Sequence, residues 1–230
     1  MKIQTLHLLD GAKEARGITV IIDVFRAFST ACYAFNSGAV RIIPVASINT
    51  AYRIKKQNPG FILMGEREEQ KPPGFDFGNS PAQLLNADLK GKTLIHTTSS
   101  GTQGIEAAVN ASEIITGSFV NAGAIVSYIK KQNPELVSLV CMGYACEYPT
   151  DEDTLCAEFL KNELTGVTSN YPEMVKIIRE GSGSRFFEPK NQEWSPKEDF
   201  NLCLNLNHFN FVLKYNRGSD FNFLSKVDVV

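Results

Sequence analysis

The chain has 230 residues, of which 43% are hydrophobic, and this is enough to bury one sizeable core. A net charge of -2 and basic residues scattered along the chain exclude the positive surplus that nucleic-acid binding needs, so we expect no nucleic-acid partner. No segment approaches the roughly 18 uninterrupted apolar residues that span a bilayer. Residues 1–10 contain no basic region followed by a long apolar run, so we expect a cytoplasmic protein without a membrane partner.

No proline- or glycine-rich linker divides the chain, which predicts a single domain over residues 1–230. The five cysteines are odd in number and form no C-x-x-C pair. This pattern argues against a disulfide framework and a structural zinc site, so we expect reduced cysteines, mostly in the core. The 15 phenylalanines and seven tyrosines leave aromatic surface for a subunit contact, which keeps a homodimer open.

Short β-rich runs alternate with helical stretches in the first two thirds of the chain. The predicted strands are Ile18–Val24, Val40–Val45, Phe61–Met64, Thr93–His96, Glu113–Thr116 and Leu136–Met142. The predicted helices are Phe28–Ser37, Ile48–Gln57, Pro81–Asn86, Thr102–Asn110, Ala122–Gln132 and Glu152–Asn162. The alternation predicts an α/β fold, a three-layer α/β/α sandwich with a largely parallel or mixed sheet.

The pattern weakens beyond Thr165. Tyr171–Glu180 has helical spacing, Gly181–Ser184 is typical of a loop, and Phe200–Leu206 and Phe209–Tyr215 are predicted as late strands or extended segments. Earlier in the chain, Ser80 stands directly before a proline at the first helical position, and the sequence predicts that its hydroxyl caps that helix.

Polar side chains gather where several of the predicted strands end. Asp23 and Arg26 stand three apart after the first strand, where a carboxylate suits a metal and a guanidinium fork suits an oxyanion. The alternative is a helix cap with a surface ion pair. Glu66 and Arg67 follow the third strand, and Asp76, Asn79 and Ser80 lie in the string Gly-Phe-Asp-Phe-Gly-Asn-Ser-Pro at 74–81. A helix starting there offers free N–H groups to a phosphate, and the alternative is a capped turn after a surface loop.

Three further clusters follow the later strands. Hydroxyl residues at 97–100 precede Gly101 and Thr102, which is typical of a phosphate-binding loop or of a simple helix-capping turn. Residues 117–121 end in Asn121, and Asp151–Asp153 offer metal ligands or a favourable interaction with a helix dipole. We favour Asp153 as a ligand and hold Glu152 in reserve. Ligands in open α/β sheets bind outside the carboxyl ends of the strands, where all of these clusters occur.

These motifs resemble the 2-phosphosulfolactate phosphatase family. The resemblance rests on Asp-Val-Phe-Arg-Ala at 23–27, Gly-Glu-Arg at 65–67, the string at 74–81, Thr-Thr-Ser-Ser-Gly-Thr at 97–102 and Glu-Asp at 152–153, and covers roughly residues 17–165. It implies an α/β/α enzyme that uses Mg²⁺ to hydrolyse 2-phospho-3-sulfolactate to 3-sulfolactate and phosphate, a step toward coenzyme M in some archaea.

Phosphate-ester hydrolysis requires charge neutralisation and an oriented nucleophile. We assign the metal and nucleophile-positioning roles to Asp23, Glu66, Asp76 and Asp153, and expect Arg26, Asp23, Glu66 and Asp76 to be catalytic. The residues expected to bind substrate are Arg26, Arg67, Asn79, Ser80, Thr97, Thr98, Ser100, Gly101, Thr102 and Asn121. Two alternatives stay open, namely a phosphatase of another small acidic phosphoester and a non-catalytic module that binds phosphorylated metabolites.

Overall fold

The computed structural model describes residues 1–229 and forms an α/β fold around a 9-stranded mixed sheet. The strands are β1 (Lys2–His7), β2 (Ile18–Ile22), β3 (Arg41–Pro44), β4 (Ile62–Gly65), β5 (Thr93–Thr97), β6 (Glu113–Gly117), β7 (Leu136–Cys141), β8 (Phe211–Asn216) and β9 (Phe223–Asp228). The α-helices are α1 (Leu8–Glu14), α2 (Ala27–Asn36), α3 (Ile48–Gln57), α4 (Gly101–Ala107), α5 (Ala122–Gln132), α6 (Asp151–Thr165), α7 (Tyr171–Glu180) and α8 (Lys197–Cys203).

The sheet contains two blocks of parallel strands separated by an antiparallel hairpin. Its strand order is β1-β7-β2-β6-β8-β9-β3-β5-β4. The first block contains β1, β7, β2 and β6, and the second contains β3, β5 and β4. The antiparallel hairpin β8–β9 lies between them and pairs antiparallel with β6 on one side and β3 on the other. Because three successive pairings are antiparallel, the two blocks run in opposite senses.

Helices cover both faces of the sheet. Successive side chains of β2 point to opposite faces, and each face packs against helices. Every residue of β2 is buried, and Val20 and Ile22 join a core that contains residues of α5, α6 and α7. Ile21 faces the other way and joins a core with residues of α1, α2 and α4. A third, smaller core packs α3 against β3, β4 and β5. The predicted α/β architecture is therefore confirmed, and the uninterrupted apolar run of β2 reflects burial on both faces.

The six predicted strands are all present within two residues of their expected ends, and Ile48–Gln57, Ala122–Gln132 and Tyr171–Glu180 are helices with the predicted bounds. Phe200–Leu206 was predicted as extended, and this was wrong, because residues 197–203 form α8, whose buried face contains Asp199, Phe200 and Cys203. The predicted loop at 181–184 runs into a 3-10 helix over Ser182–Phe187. The patterns also missed β1, α1 and β9, which are short and half-exposed.

The helix predicted over Pro81–Asn86 is a single 3-10 turn over Ala82–Leu84, and Ser80 does not cap it. Asp199 takes that place, because its Oδ1 accepts hydrogen bonds from the Ala82 amide and from the Ser80 hydroxyl, both at 2.9 Å. The five cysteines are free, and four of them are buried. Within residues 1–229, no helix combines the length and the apolar character needed to cross a membrane.

Candidate active site

A cavity of about 190 Å³ lies where loops from both parallel blocks meet. The residues that line it are Asp23, Phe25, Arg26, Glu66, Glu68, Glu69, Asn79, Ser99, Ser100, Gly143, Tyr144, Ala145, Glu147 and Arg185. Asp23 follows β2, Glu66 follows β4, Ser99 and Ser100 follow β5, and Gly143 follows β7. Four strand ends therefore contribute to one cavity.

Asp23 joins the starts of two helices. Its Oδ1 accepts the amide of Ala27 at 3.0 Å, and its Oδ2 accepts the amide of Gly101 at 2.8 Å. These are the first residues of α2 and α4, so the carboxylate accepts N–H groups that helix geometry leaves unpaired. Burial nevertheless raises the pKa of Asp23 to about 7, and the charges of Glu66 and Glu152 add to the increase.

Asp153 links two loops of the site by accepting hydrogen bonds from their backbone amides. Its two carboxylate oxygens accept the amides of Val24 and Gly143, both at 2.8 Å, so it links the loop after β2 with the loop after β7. Burial raises the pKa of Asp153 well above its ordinary value, and the charges of Glu152 and Asp23 raise it further. Burial also raises the pKa of Glu152, whose Oε2 accepts the hydroxyl of Ser182, while the Arg185 charge lowers it. Three buried acids therefore stand together, and the charge of Glu152 raises the pKa of both Asp23 and Asp153.

Glu66 organises the opposite wall. Its Oε1 accepts the amide of Ser99 at 2.7 Å, and its Oε2 accepts the amide of Glu69 at 2.9 Å and the hydroxyl of Ser99 at 3.2 Å. Ser100 donates its hydroxyl to the Gly143 carbonyl at 2.8 Å. The loop after β5 is thus held to β4 by Glu66 and to β7 by Ser100.

Arg26 lines the cavity but is already paired. Its Nη1 donates to Asp199 Oδ2 at 2.7 Å and to the Trp194 carbonyl at 2.6 Å, and its Nη2 lies 3.4 Å from the Glu69 carbonyl. The side chains of Arg26 and Asp199 are 4% and 0% exposed, so water screens this ion pair little. The last third of the chain therefore fixes the orientation of Arg26.

A buried histidine positions Asn79. Burial lowers the pKa of His96 to about 3, with the Arg67 charge contributing, so the imidazole is neutral at pH 7. Its Nε2 lies 3.2 Å from the Asn79 Oδ1. A neutral imidazole that donates from Nε2 holds the amide oxygen of Asn79, and Asn79 lines the cavity.

The comparison with known proteins decides the family. The family model described as 2-phosphosulpholactate phosphatase matches residues 3–218, nearly the whole chain. The chain belongs to the 2-phosphosulpholactate phosphatase family. Family membership makes it an enzyme of the phosphoric monoester hydrolase class, which favours catalysis over a purely binding role.

Several relatives carry the name "Probable 2-phosphosulfolactate phosphatase". One from Thermoplasma volcanium is 32% identical over 221 residues, covering 94% of this chain and 99% of the relative. One from Caldanaerobacter subterraneus is 32% identical over 217 residues, covering 86% and 88%. One from Thermotoga petrophila is 42% identical over 142 residues, covering 62% of this chain and 60% of the relative. The more identical stretch is thus confined to part of each protein.

Several predicted site residues of this phosphatase-family chain lie away from the cavity. Asp76 accepts the Leu63 amide at 2.8 Å, and its side chain is 39% exposed and lies 3.5 Å from Lys55. Arg67 donates to the carbonyls of Ala46 and Glu66 and to Thr97, at 2.6–2.7 Å. Burial lowers its pKa. Neither side chain lines the cavity. The Leu63 amide holds Asp76 outside it, and the carbonyls of Ala46 and Glu66 together with Thr97 hold Arg67 outside it.

The remaining predicted hydroxyl and amide residues serve the loops rather than line the cavity. Thr98 and Thr102 bond each other across the first turn of α4. Ser80 donates to Asp199, and Asn121 donates to the Phe211 carbonyl at 3.3 Å. Gly101 reaches the site through its amide alone. Of the predicted substrate-binding residues, Arg26, Asn79 and Ser100 line the cavity.

Sequence patterns missed the last contributors to the site of this phosphatase-family member. Glu69, Tyr144 and Arg185 line the cavity, and Asp199 fixes Arg26. Glu69 and Tyr144 lie in the loops after β4 and β7, whereas Arg185 lies in a 3-10 helix and Asp199 in α8, neither of which follows a predicted strand. Tyr144 follows β7 closely enough that its position after a strand could have identified it.

The cavity offers Mg²⁺ only a small number of protein ligands. No group of three or more histidine, cysteine, aspartate or glutamate side chains among residues 1–229 is arranged to hold a metal ion. Asp23 and Glu66 line the cavity as two carboxylates, and Mg²⁺ commonly binds through one or two carboxylates while water and substrate phosphate complete its octahedron. Burial raises the pKa of Asp23, and the charges of Glu66 and Glu152 raise it further, so a cation beside Asp23 would offset a repulsion already present.

Proposed function

We propose that this chain hydrolyses 2-phospho-3-sulfolactate to 3-sulfolactate and phosphate with the help of Mg²⁺. The observation that carries the proposal is the meeting of two desolvated carboxylates, Asp23 and Glu66, with two arginines, Arg26 and Arg185, in one small cavity. The matched family and the names of its relatives support the substrate. We also propose that the protein acts in the cytoplasm and that it forms a homodimer.

The two carboxylates would hold Mg²⁺, which neutralises charge on the transferred phosphoryl group when it is bound. Asp76 and Asp153 leave the proposed ligand set, since neither lines the cavity that contains Asp23 and Glu66. Asp153 is a positioning residue, because it holds the loop that carries Asp23.

Arg26 and Asn79 would bind the phosphoryl oxygens. The Arg26 guanidinium is oriented by Asp199, and the Asn79 amide is oriented by neutral His96, so both donors are fixed before substrate arrives. Donors that are already oriented need no reorganisation as charge develops on the phosphoryl group. Over the whole reaction one water molecule is consumed: its oxygen ends on phosphorus, the P–O ester bond breaks, and the leaving 3-sulfolactate oxygen takes up a proton that the water releases.

The nucleophile is either the Asp23 carboxylate or a water molecule positioned by it. Rapid quenching during turnover, followed by mass spectrometry of the peptide containing Asp23, separates the two routes. An added phosphoryl group on Asp23 would establish the covalent route, and its absence at times shorter than one turnover would establish direct attack by water.

The proposed function is tested by phosphate release from a panel of small phosphoesters that includes 2-phospho-3-sulfolactate and 2-phospholactate. We expect the fastest turnover with 2-phospho-3-sulfolactate in the presence of Mg²⁺ and loss of turnover on addition of a chelator. Faster release from another phosphorylated hydroxy acid would overturn the substrate, and unchanged release in chelator would overturn the Mg²⁺ requirement.

A further inference from the structure

Arg185 is the arginine of the cavity whose partners are easiest to exchange. Its Nη1 forms an ion pair with Glu69 Oε1 at 3.0 Å, and its Nη2 donates to the Phe25 carbonyl at 3.3 Å. Its Nε is buried and has no hydrogen-bond partner among residues 1–229. A guanidinium with an unfilled donor retains capacity for a further acceptor.

Arg26 and Arg67, the two arginines that the sequence predicts to bind substrate, cannot exchange their partners as easily. Arg26 is buried against Asp199, and the Arg67 guanidinium is occupied by backbone carbonyls and Thr97 outside the cavity. The Arg185–Glu69 pair is more open, with side chains 19% and 20% exposed. A partly hydrated ion pair costs less to exchange than a fully buried one.

The Arg185 side chain lies at the boundary between two cavities. Glu68, Glu69, Tyr144 and Arg185 line both the active-site cavity and an adjoining cavity of about 370 Å³. The guanidinium carbon lies 5.3 Å from the ring centre of Phe186 and 5.6 Å from that of Tyr144. Aromatic faces stabilise a cation without using its hydrogen-bond donors.

Glu69 can give up Arg185 without the loop coming apart. Its backbone is held separately, since its amide donates to Glu66 and its carbonyl lies near Arg26 Nη2. Among residues 1–229, the polar partners of the Glu69 side chain are Arg185, through the ion pair, and the Ser195 hydroxyl, which donates to it at 3.4 Å. An incoming acid group could therefore replace the Glu69 carboxylate while the main chain stays in position.

We propose that Arg185 is a specificity-determining residue that binds the second acid group of the substrate, a sulfonate or carboxylate beside the phosphoester, in exchange for Glu69. This inference rests on the proposed function and assigns the phosphoryl group to Arg26 and the distal acid group to Arg185. A guanidinium binds such planar or tetrahedral oxyanions through paired N–H groups. Selectivity for a substrate with several acid groups then comes from the 3-10 helix Ser182–Phe187, the six-residue segment after α7 that carries Arg185.

The test compares Arg185→Gln with the wild type on three phosphoesters. These are 2-phospho-3-sulfolactate, 2-phospholactate, which lacks the sulfonate, and the phosphoester of 2-hydroxyethanesulfonate, which lacks the carboxylate. We expect kcat/KM for the full substrate to fall roughly 10- to 100-fold, mainly through KM, because a charge-assisted hydrogen bond is lost. The loss should shrink to under about threefold on the one analogue that lacks the group bound by Arg185.

Two further variants separate specificity from folding. Lys190→Gln removes the same charge from an exposed side chain near Arg185 in sequence and should leave all three kcat/KM values unchanged. Glu69→Gln removes the competing carboxylate and should lower KM for the full substrate about twofold or more. An equal loss on all three substrates in Arg185→Gln, or a KM in Glu69→Gln that rises as far as in Arg185→Gln, would overturn the proposal.

Calorimetric binding of 3-sulfolactate and lactate separates this inference from the proposed function. If the wild type hydrolyses none of the three phosphoesters, the proposed function fails. Weaker binding of 3-sulfolactate by Arg185→Gln than by Lys190→Gln would still support the role of Arg185, and equal binding by the two variants would overturn it.

Discussion

At the scale of single residues, the site depends on carboxylates whose hydrogen bonds and burial act in opposite directions. Asp23 accepts two backbone amides, which favour its charged form, yet burial is the larger effect and raises its pKa to about 7. Asp153 has the same arrangement with Val24 and Gly143. The sequence identified these two acids because they stand next to strand ends, whereas the energetic balance at each follows from how deeply the fold buries it.

The pKa of Asp23 predicts a pH-dependent stability. The folded protein keeps the Asp23 proton up to about pH 7, whereas the unfolded chain releases it near the ordinary value of 3.8. The free energy of unfolding of the metal-free wild type should therefore fall, relative to Asp23→Asn, as the pH rises from about 4 to about 7. The slope should reach at most about 1.4 kcal/mol per pH unit.

Urea unfolding of both proteins in chelator, at several pH values, measures this difference. His96 acts in the opposite direction over roughly pH 3–6.5, since burial lowers its pKa to about 3. It is present in both proteins, so its effect cancels in the comparison. Parallel stability curves for the wild type and Asp23→Asn would contradict the prediction.

At the scale of elements, the starts of α2 and α4 assemble the site by converging on one carboxylate. Gly101 permits this approach, because a Cβ atom there would lie 2.8 Å from Asp23 Oδ2 and 2.9 Å from Ala27 Cβ. The sequence motif at 97–102 predicts either a phosphate-binding loop or a turn that caps a helix. In the structure its threonines close the first turn of α4 while the Gly101 amide supports Asp23.

Gly101→Ala should therefore separate α4 from Asp23. The added methyl group forces the helix start to shift, and such overpacking typically costs about 1–3 kcal/mol. We expect a lower free energy of unfolding in urea and a lower kcat. Gly60→Ala is the matched control, since nothing lies within 4 Å of a Cβ at that position. Equal stability and equal kcat in the two variants would argue against the role of Gly101.

At the scale of the whole molecule, the C-terminal part of the chain connects the two parallel blocks and completes the cavity. The β8–β9 hairpin joins β6 to β3, and Leu224 of β9 is fully buried opposite Ile42 of β3. Asp199 of α8 fixes Arg26, and Arg185 lines the cavity. The site thus requires both blocks and the segment that follows them.

This arrangement predicts one cooperative unfolding transition, as expected for a single domain. Trp194 is the only tryptophan of the chain, and its fluorescence reports on the C-terminal part, while far-UV circular dichroism reports on all helices and strands. Leu224→Ala should lower the free energy of unfolding by about 2–5 kcal/mol in both signals equally.

Leu85→Ala, at a side chain 45% exposed, is the control and should have a much smaller effect. Two separate transitions, or a Leu224→Ala effect confined to one signal, would show that the chain unfolds in parts.

The sequence by itself determined the fold class, the six strands β2 to β7 and the motifs that mark the family. Those features are local, because β-rich apolar runs, helix periodicity and contiguous strings such as residues 74–81 are written in neighbouring residues. The late helix α8 was misjudged because its apolar residues are few and its one buried acid, Asp199, has its partners in Arg26, Ser80 and Ala82. Local spacing carries no information about such partners.

Only the tertiary structure decided which of the gathered acids and arginines share a cavity. Strand ends were expected to meet at one edge of a parallel sheet, but the hairpin reverses the second block. The site still assembles, because loops of the two blocks bond to each other directly: the Gly101 amide donates to Asp23, and the Ser100 hydroxyl donates to the Gly143 carbonyl. Asp76 and Arg67 satisfied the sequence rule but lie outside the cavity, where Asp76 accepts the Leu63 amide and Arg67 donates to the Ala46 carbonyl and the Thr97 hydroxyl. Arg185 satisfied no rule and lines the cavity, because its position depends on packing between segments about 160 residues apart.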